Sequence, residues 1–375
     1  MIFTTNKTAQ LDDLLDKMAE SLQLDDTRYD RMKSSYEALK NWIESDELFF
    51  KPYNYDLYPH GSVRILTTVK PYGKDEFDLD VALHLAHGTP HTPEKIYTEL
   101  KRRLNEHERY KQQVELKNRC IRLNYAGDYH MDILPGIQEY NWDDNTLKIP
   151  DRDLGHWVST NPRGYADWFK SKANLASSSI LEKALRAENL PTDNFKYKKP
   201  LQRAVQLIKR YRDIYFSENN DYKTSSIILT TIAGIYYNGE ESIFETVENI
   251  VKAIELHTSS LESRMKVVNP VNNKEDFTDK WESEPEYYDA FKSFAKHLRD
   301  EWQKLKLDNG VLVEGSILTK LFGSEVFSAA QIRQGNQIEN YRKSDKLSVG
   351  ASLGTLSNKL SEHTTNIKPN TFFGN

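Results

Sequence analysis

Asp78, Asp80 and Asp132 are the residues of this chain whose type and spacing could do chemistry. Asp78 and Asp80 stand in FDLDVALHL, where Phe77, Leu79, Val81, Leu83 and Leu85 alternate with Asp78, Asp80, Ala82 and His84. That period of two predicts a strand with one apolar face, and it sets both carboxylates one pleat apart on the other face. Asp132 lies in YHMDILPGI, the second strand of a hairpin opened by VELKNRCIRLNY and turned at Ala126-Gly127-Asp128. Three carboxylates aimed at one point repel unless cations neutralise them. Hard divalent ions with oxygen ligands do this, and two such ions clamp a phosphoryl transfer. His84 and His130 share faces with the aspartates but are not assigned as ligands, because Mg²⁺ prefers oxygen.

Gly61-Ser62 precedes Asp78 by fifteen intervening residues. A glycine lets backbone approach a phosphate, and a serine adds a hydroxyl and an N–H. VRILTTV, which follows, is expected to begin a short helix whose first N–H groups hold phosphate oxygens. Alone, a Gly-Ser is most often a turn and an Asp-x-Asp a solvated strand face. Their order, the apolar strand around the carboxylates and the third aspartate together point to a triphosphate cradle beside a metal-binding strand.

The elements that must position these groups follow from periodicity. Helices are expected at residues 9–22, 28–44 and 93–107, with the β-rich region around the last of these. From about residue 160 the signal turns helical: 165–187, 200–216, 225–237, 242–258 and 285–306. We therefore expect an α+β core over 1–160, braced by the N-terminal helices, and a helical lobe over 161–340. A polar, Gly/Ser/Thr/Asn-rich flexible tail is expected over 341–375. No internal repeat is seen.

Composition narrows the class. The chain has 375 residues, 38% hydrophobic and 29% charged, enough for two lobes with cores. Its net charge of −5 does not suit a general nucleic-acid binder. One cysteine, Cys120, excludes an intrachain disulfide and fits a cytoplasmic setting. The N-terminal residues lack the pattern of a signal peptide. The longest apolar run, Ile227 to Tyr237, is too short to span a bilayer.

Gly-Ser, then Asp-x-Asp, then a distal Asp resembles the DNA polymerase β-like nucleotidyltransferases. Within them the chain is most similar to the bacterial cyclic-oligonucleotide synthases, relatives of cyclic GMP-AMP synthase and oligoadenylate synthase. LQRAVQLIKRYRDIYF followed by TSSIILTTIAG resembles that family's helix with a phosphate-binding lysine and the Ser-Ser opening its next helix. The resemblance implies that Lys209, Ser226 and Ser225 hold the donor triphosphate with Gly61 and Ser62. Read without it, Lys209 belongs to a solvated helix face with Gln202, Gln206 and Asp213, and Ser225-Ser226 to a helix cap. His60 stands where relatives often carry a glutamine before the Gly-Ser, so it is a candidate nucleotide contact. VVNPVNNKEDFTDKW resembles the family's segment near the base.

The resemblance implies a polymerase β-like core joined to a helical lobe, with the active site between them. It implies two Mg²⁺ ions, with Mn²⁺ as a substitute, held by Asp78, Asp80 and Asp132. The implied product is a cyclic di- or trinucleotide made from NTPs, purine-containing as in cyclic GMP-AMP, within anti-phage signalling. The ending Phe372-Phe373-Gly374-Asn375 resembles tails on which ubiquitin-transfer-like accessory enzymes act, and a cyclic-nucleotide-activated effector is the implied downstream partner. Two rivals stay open. One is an RNA- or protein-modifying nucleotidyltransferase, using the basic stretches 101–111 and 196–203. The other is a non-catalytic nucleotide sensor, which need not keep all three carboxylates. The chain has no Cys/His zinc insertion for duplex DNA.

Overall fold

The computed structural model describes residues 7–73, 75–125, 127, 129–153, 155–176, 190–259, 264–307, 310–350, 356–357 and 364–367. Two helices open the chain, α1 (Lys7–Ser21) and α2 (Asp26–Glu44). Asp25 caps α2 by accepting from the Arg28 N–H at 2.9 Å. Next come β1 (Tyr55–Pro59), the one-turn α3 (Gly61–Arg64), β2 (Phe77–Leu85), α4 (Pro93–Asn105) and the short α5 (Glu108–Lys111). A run of strands follows: β3 (Val114–Leu116), β4 (Ile121–Tyr125), β5 (Tyr129–Tyr140), β6 (Asp143–Asp151) and β7 (His156–Thr160).

These strands form one mixed seven-stranded sheet, β1-β2-β5-β4-β3, extended by β6 on β5 and β7 on β6. The hairpin β4–β5 is antiparallel, whereas β2 runs parallel to β5. The odd-numbered residues of β2 are buried as the alternation predicts, against α2, α4 and β5 residues such as Leu39, Leu100 and Ile133. Ala126 and Asp128 of the expected turn lie outside the described residues.

The remainder is mostly helical: α6 (Pro162–Ala173), α7 (Pro200–Tyr215), α8 (Ser226–Tyr236) and α9 (Ile243–Thr258), then the ribbon β8 (Val268–Asn269) with β9 (Asn272–Asp276). The one-turn α10 (Lys280–Ser283) leads into α11 (Glu286–Lys306), α12 (Val311–Phe322) and α13 (Ser324–Lys343). The last two helices were not foreseen. The region expected as a featureless tail carries short strands β10 (Ser348–Gly350), β11 (Leu356–Ser357) and β12 (Thr364–Asn366), with β10 between the other two. The ending 372–375 lies outside the described residues.

Two apolar cores result. One is built on the sheet and α2; the other gathers α1 with α6–α9 and α11–α13. The two N-terminal helices are thus divided between the cores. Polar contacts join them beside the apolar side chains of Ile65 and Val69, which pack into the helical core. Lys209, Gln202, Gln206 and Asp213 were read as a solvated face of α7, but all are buried. Gln202 Nε2 donates to the Ile65 carbonyl at 3.0 Å and Gln206 Nε2 to that of Thr68 at 2.7 Å. Lys209 Nζ donates to the Thr67 carbonyl at 3.1 Å, and Arg210 Nη2 to that of Lys70 at 2.8 Å. The segment 65–70 has no strand or helix ladder, so its carbonyls need these donors once water is excluded. Periodicity marks such residues as polar but cannot say that a second chain segment, not solvent, covers them. Gln206→Leu should destabilise the protein by about 1–3 kcal/mol, because the Thr68 carbonyl stays buried without its donor; chemical denaturation checks this.

Candidate active site

Strand register brings the carboxylates together. Asp80 on β2 faces Asp132 on β5, and Asp132 faces Arg122 on β4. A row Asp80–Asp132–Arg122 therefore crosses three adjacent strands, with Asp78 one pleat away. Arg122 Nε donates to Asp132 Oδ1 at 2.7 Å and Nη2 to Oδ2 at 2.8 Å, a two-pronged pairing. Nη2 also reaches Asp78 Oδ1 at 3.5 Å. The hydrogen bonds to Asp132 raise the Arg122 proton affinity further, so it is a permanent cation here. Sequence reasoning missed Arg122. The signal was present: Ile121, Leu123 and Tyr125 alternate with Arg122 and Asn124, and counting outward from Gly127 sets Arg122 against Asp132.

One arginine does not balance three carboxylates. Burial, then Asp78 and Asp132, push Asp80 up to about 8. The same causes, burial and then Asp132, raise Asp78, although its side chain remains 53% exposed at the cleft mouth. His130 turns to Glu76, its Nε2 lying 2.9 Å from Oε2. His84 does not flank the carboxylates. Two pleats along β2, it packs with Arg163 and Tyr58, and burial followed by Arg163 lowers it to about 4.

Gly61 has a more specific task than an open approach to phosphate. Its φ is +58°, and a Cβ there would lie 1.9 Å from Asp80 Oδ2. The glycine is what lets α3 sit against the carboxylate, an arrangement tied by the His60 N–H to the Asp80 carbonyl at 2.8 Å. The expected phosphate-holding helix is a single turn. Leu66 takes φ +60°, and the Thr67 N–H closes back on the Ser62 carbonyl at 2.9 Å. Ser62 Oγ lies 3.1 Å from Thr68 Oγ1, beside the cleft. His60 lines the cleft with a buried Nε2 that meets no donor or acceptor among the described residues, and burial lowers it to about 4, keeping it neutral.

α7 and α8 form the opposite wall. Lys209, Ser225 and Ser226 line the same cleft of about 830 Å³ as Asp78, Asp80, Gly61 and Ser62. Burial, then Arg212, lower Lys209 to about 7, and its Nζ also meets Thr67 Oγ1 at 3.1 Å. Arg212, one turn on, bonds Asp213 and the Ser226 hydroxyl and was another residue missed. Lys223 bridges Asp213 at 3.1 Å and Asp75 at 3.2 Å at the rim. The cleft thus carries acid on the sheet side and base on the helical side.

A family model described as Second Messenger Oligonucleotide or Dinucleotide Synthetase domain matches residues 10–173. A protein of Roseivirga ehrenbergii named c-di-GMP synthase is 39% identical over 377 aligned positions, covering 100% of both chains. The chain belongs to this synthase family. A cyclic dinucleotide synthase of Bradyrhizobium diazoefficiens, CdnG, is 24% identical over 77% of this chain and 73% of its own. The solved structure of that synthase with GTP superposes with a TM-score of 0.70 at 23% identity, over 88% of this chain and all of the other. The synthase is a nucleotidyltransferase of polymerase β-like core and helical lobe, making cyclic nucleotide messengers.

Members of the family use divalent cations. The donor set here fits them: all-oxygen ligands, and carboxyl groups whose charge is suppressed by burial and by one another despite Arg122, Lys209 and Arg212. Among the described residues no three acid, imidazole or thiol groups already converge at ligand distance, and both oxygens of Asp132 accept from Arg122. The basic stretches raised for RNA binding are partly tied up within the fold, although Lys101, Arg109, Lys111 and Lys196 are exposed. Arg102 pairs with Asp46, Glu99 and Glu106, Arg103 donates to the Trp42 carbonyl, and Lys198 and Arg203 pair with Asp193 and Asp16. No helix among the described residues is long and apolar enough to cross a membrane.

A folded-state affinity of about 8 for Asp80, above the unfolded carboxylate value, means stability is lost as pH rises from about 4 through about 8. In EDTA, Asp80→Asn should melt at least about 2–4 °C above wild type at pH 8, with a gap that shrinks toward pH 4; Mg²⁺ should narrow it. A gap that does not move with pH contradicts the burial of this charge. Gly61→Ala should cost about 1–2 kcal/mol through its left-handed backbone alone and, by displacing Asp80, lower synthesis more than Ser62→Ala does.

Proposed function

We propose that this synthase condenses two GTP molecules into cyclic di-GMP, releasing pyrophosphate at each of two steps. The observation that carries the chemistry is the register-paired row Asp80–Asp132–Arg122 with Asp78 beside it. The guanine assignment is supported by the full-length relative named c-di-GMP synthase. A cleft of about 830 Å³ lies in the upper part of the range of ligand pockets.

Asp78, Asp80 and Asp132 would hold two Mg²⁺ ions, with Mn²⁺ able to replace them. Bound there, divalent cations neutralise charge on the phosphates and on the leaving pyrophosphate. Ser62, Arg212, Ser225 and Ser226 face the triphosphate, while Lys209 fixes the Thr67 loop and adds positive potential behind it. Asp132 draws the proton from the acceptor ribose hydroxyl. The hydroxyl oxygen attacks the α-phosphorus in line, the α–β bridging bond breaks, and pyrophosphate departs. The linear intermediate keeps one triphosphate and one free hydroxyl. Reversed in the cleft, it repeats the step on itself and closes the ring. Positioning and charge neutralisation do most of this work.

The setting is anti-phage signalling in the cytoplasm, with an effector that binds the product and an accessory enzyme acting on the C-terminal tail. Incubation of the purified chain with all four NTPs and Mg²⁺ should give one phosphatase-resistant product, which mass spectrometry reads as a guanine-only ring. Asp78→Ala or Asp80→Ala should reduce its formation by at least about 10³-fold, the scale of losing electrostatic stabilisation of the transition state. Label transferred to RNA or protein, with no small cyclic product, would sink the proposal.

A further inference from the structure

One stretch of the cleft wall is built for a flat heterocycle. Glu275 on β9 lines it, partly open to the cleft. Its Oε1 accepts from Thr160 Oγ1 at 2.7 Å and its Oε2 from Asn269 Nδ2 at 2.6 Å. Both donors are largely buried, at 7% and 3% exposure, and border the same cleft, so the carboxylate is held in place by two fixed side chains. Each oxygen keeps a further acceptor position. Phe277, two residues along, and Tyr165 line the same cleft with ring centroids 6.1 Å apart at 88°, and Ile149 adds apolar surface beside them. Burial raises the proton affinity of Glu275, against the hydrogen bonds from Asn269, Thr160 and the Asn161 backbone that lower it.

A fixed carboxylate with one hydrogen bond on each oxygen and acceptor capacity to spare, beside ring and aliphatic surface, matches a base that presents adjacent N–H donors on one edge. Guanine does, through N1–H and the 2-amino group. Adenine offers N1 as an acceptor there, so its lone pair would face the carboxylate. Uracil presents a single N–H flanked by two carbonyl oxygens. Sites built around such hydrogen bonds reject the ligand that lacks them far more strongly than apolar pockets do.

We propose that Glu275, anchored by Thr160 and Asn269, selects guanine in this cleft. The assignment rests on the reading that GTP is the substrate, and it adds the residue that makes the choice. Its test is equilibrium titration of the full-length chain with GTP, ITP and ATP, using Ca²⁺ in place of Mg²⁺ to suppress turnover. ITP keeps N1–H but lacks the 2-amino group. Wild type should bind GTP about tenfold or more tighter than ITP, the scale of one charge-assisted hydrogen bond, and tighter still than ATP.

Glu275→Gln replaces one acceptor by a donor at nearly constant volume. It should bring the GTP and ATP affinities within about threefold of each other, each 1.4 kcal/mol being tenfold. A residue that merely held the fold would lower all three alike. Equal binding of GTP and ITP by wild type overturns the proposal, as does Glu275→Gln with the GTP preference intact. If that variant does not fold, the wild-type contrast between GTP and ITP decides alone. A wild-type product without guanine defeats the cyclic di-GMP reading; a guanine-only product with GTP and ITP bound alike defeats the assignment of Glu275.

Discussion

Crowding of negative charge on one side of a cleft is the constraint around which this structure is arranged. Asp80 and Asp132 are brought side by side by the pairing of β2 with β5, in a register that buries the apolar face of β2. In water the cost would be small. Under the helical lobe it is large enough to drive Asp80 up to about 8. Arg122 offsets part of it through the next strand, and the rest is left for ligands that bring positive charge. A site that is electrostatically unfinished as a bare protein is pre-organised for cations and for the phosphates they bridge.

The second requirement is that the helical side stay at a fixed distance from that row. The polar face of α7 meets it by taking its hydrogen-bond partners from the carbonyls of 65–70, the loop that leaves Gly61-Ser62. One face of one helix therefore does two tasks. Gln202 and Gln206 stitch the cores, while Lys209 and Arg212, a turn further along, project charge into the cleft. This explains why Lys209 is both buried and lowered to about 7. Its charge is opposed by desolvation and by Arg212, and is sustained by Asp213 and Asp80 across the cleft.

Much of this was legible in the chain. Strict alternation in FDLDVALHL assigned the faces of β2, and the helices expected from 3.6-residue spacing lie within a few residues of α1, α2, α4, α7, α8, α9 and α11, whereas the one-turn α5 and α10 were not expected. Local periodicity succeeds there because burial of one face is decided within the element itself. It passed over α12, although Ile317, Leu318, Leu321 and Phe322 are buried there, and it failed at α13 and the small sheet β10–β12, where polar composition concealed ordered structure. Arg122 was overlooked because a cross-strand partner shows only once hairpin register is counted, and Glu275 because it reaches the cleft from a ribbon more than a hundred residues downstream.

What the sequence determined by itself is the chemistry available: three carboxylates at strand spacing, a glycine and serine before them, and a lysine and serines on later helices. Those depend on residue type and on short-range periodicity. Only the tertiary structure decided who neighbours whom. Gly61 is required because Asp80 Oδ2 stands where its Cβ would be, Asp132 is held in the fork of Arg122, and the α7 face is inter-core and not solvated. Each is a contact between distant segments, and such contacts follow from strand pairing and core packing that no local pattern encodes.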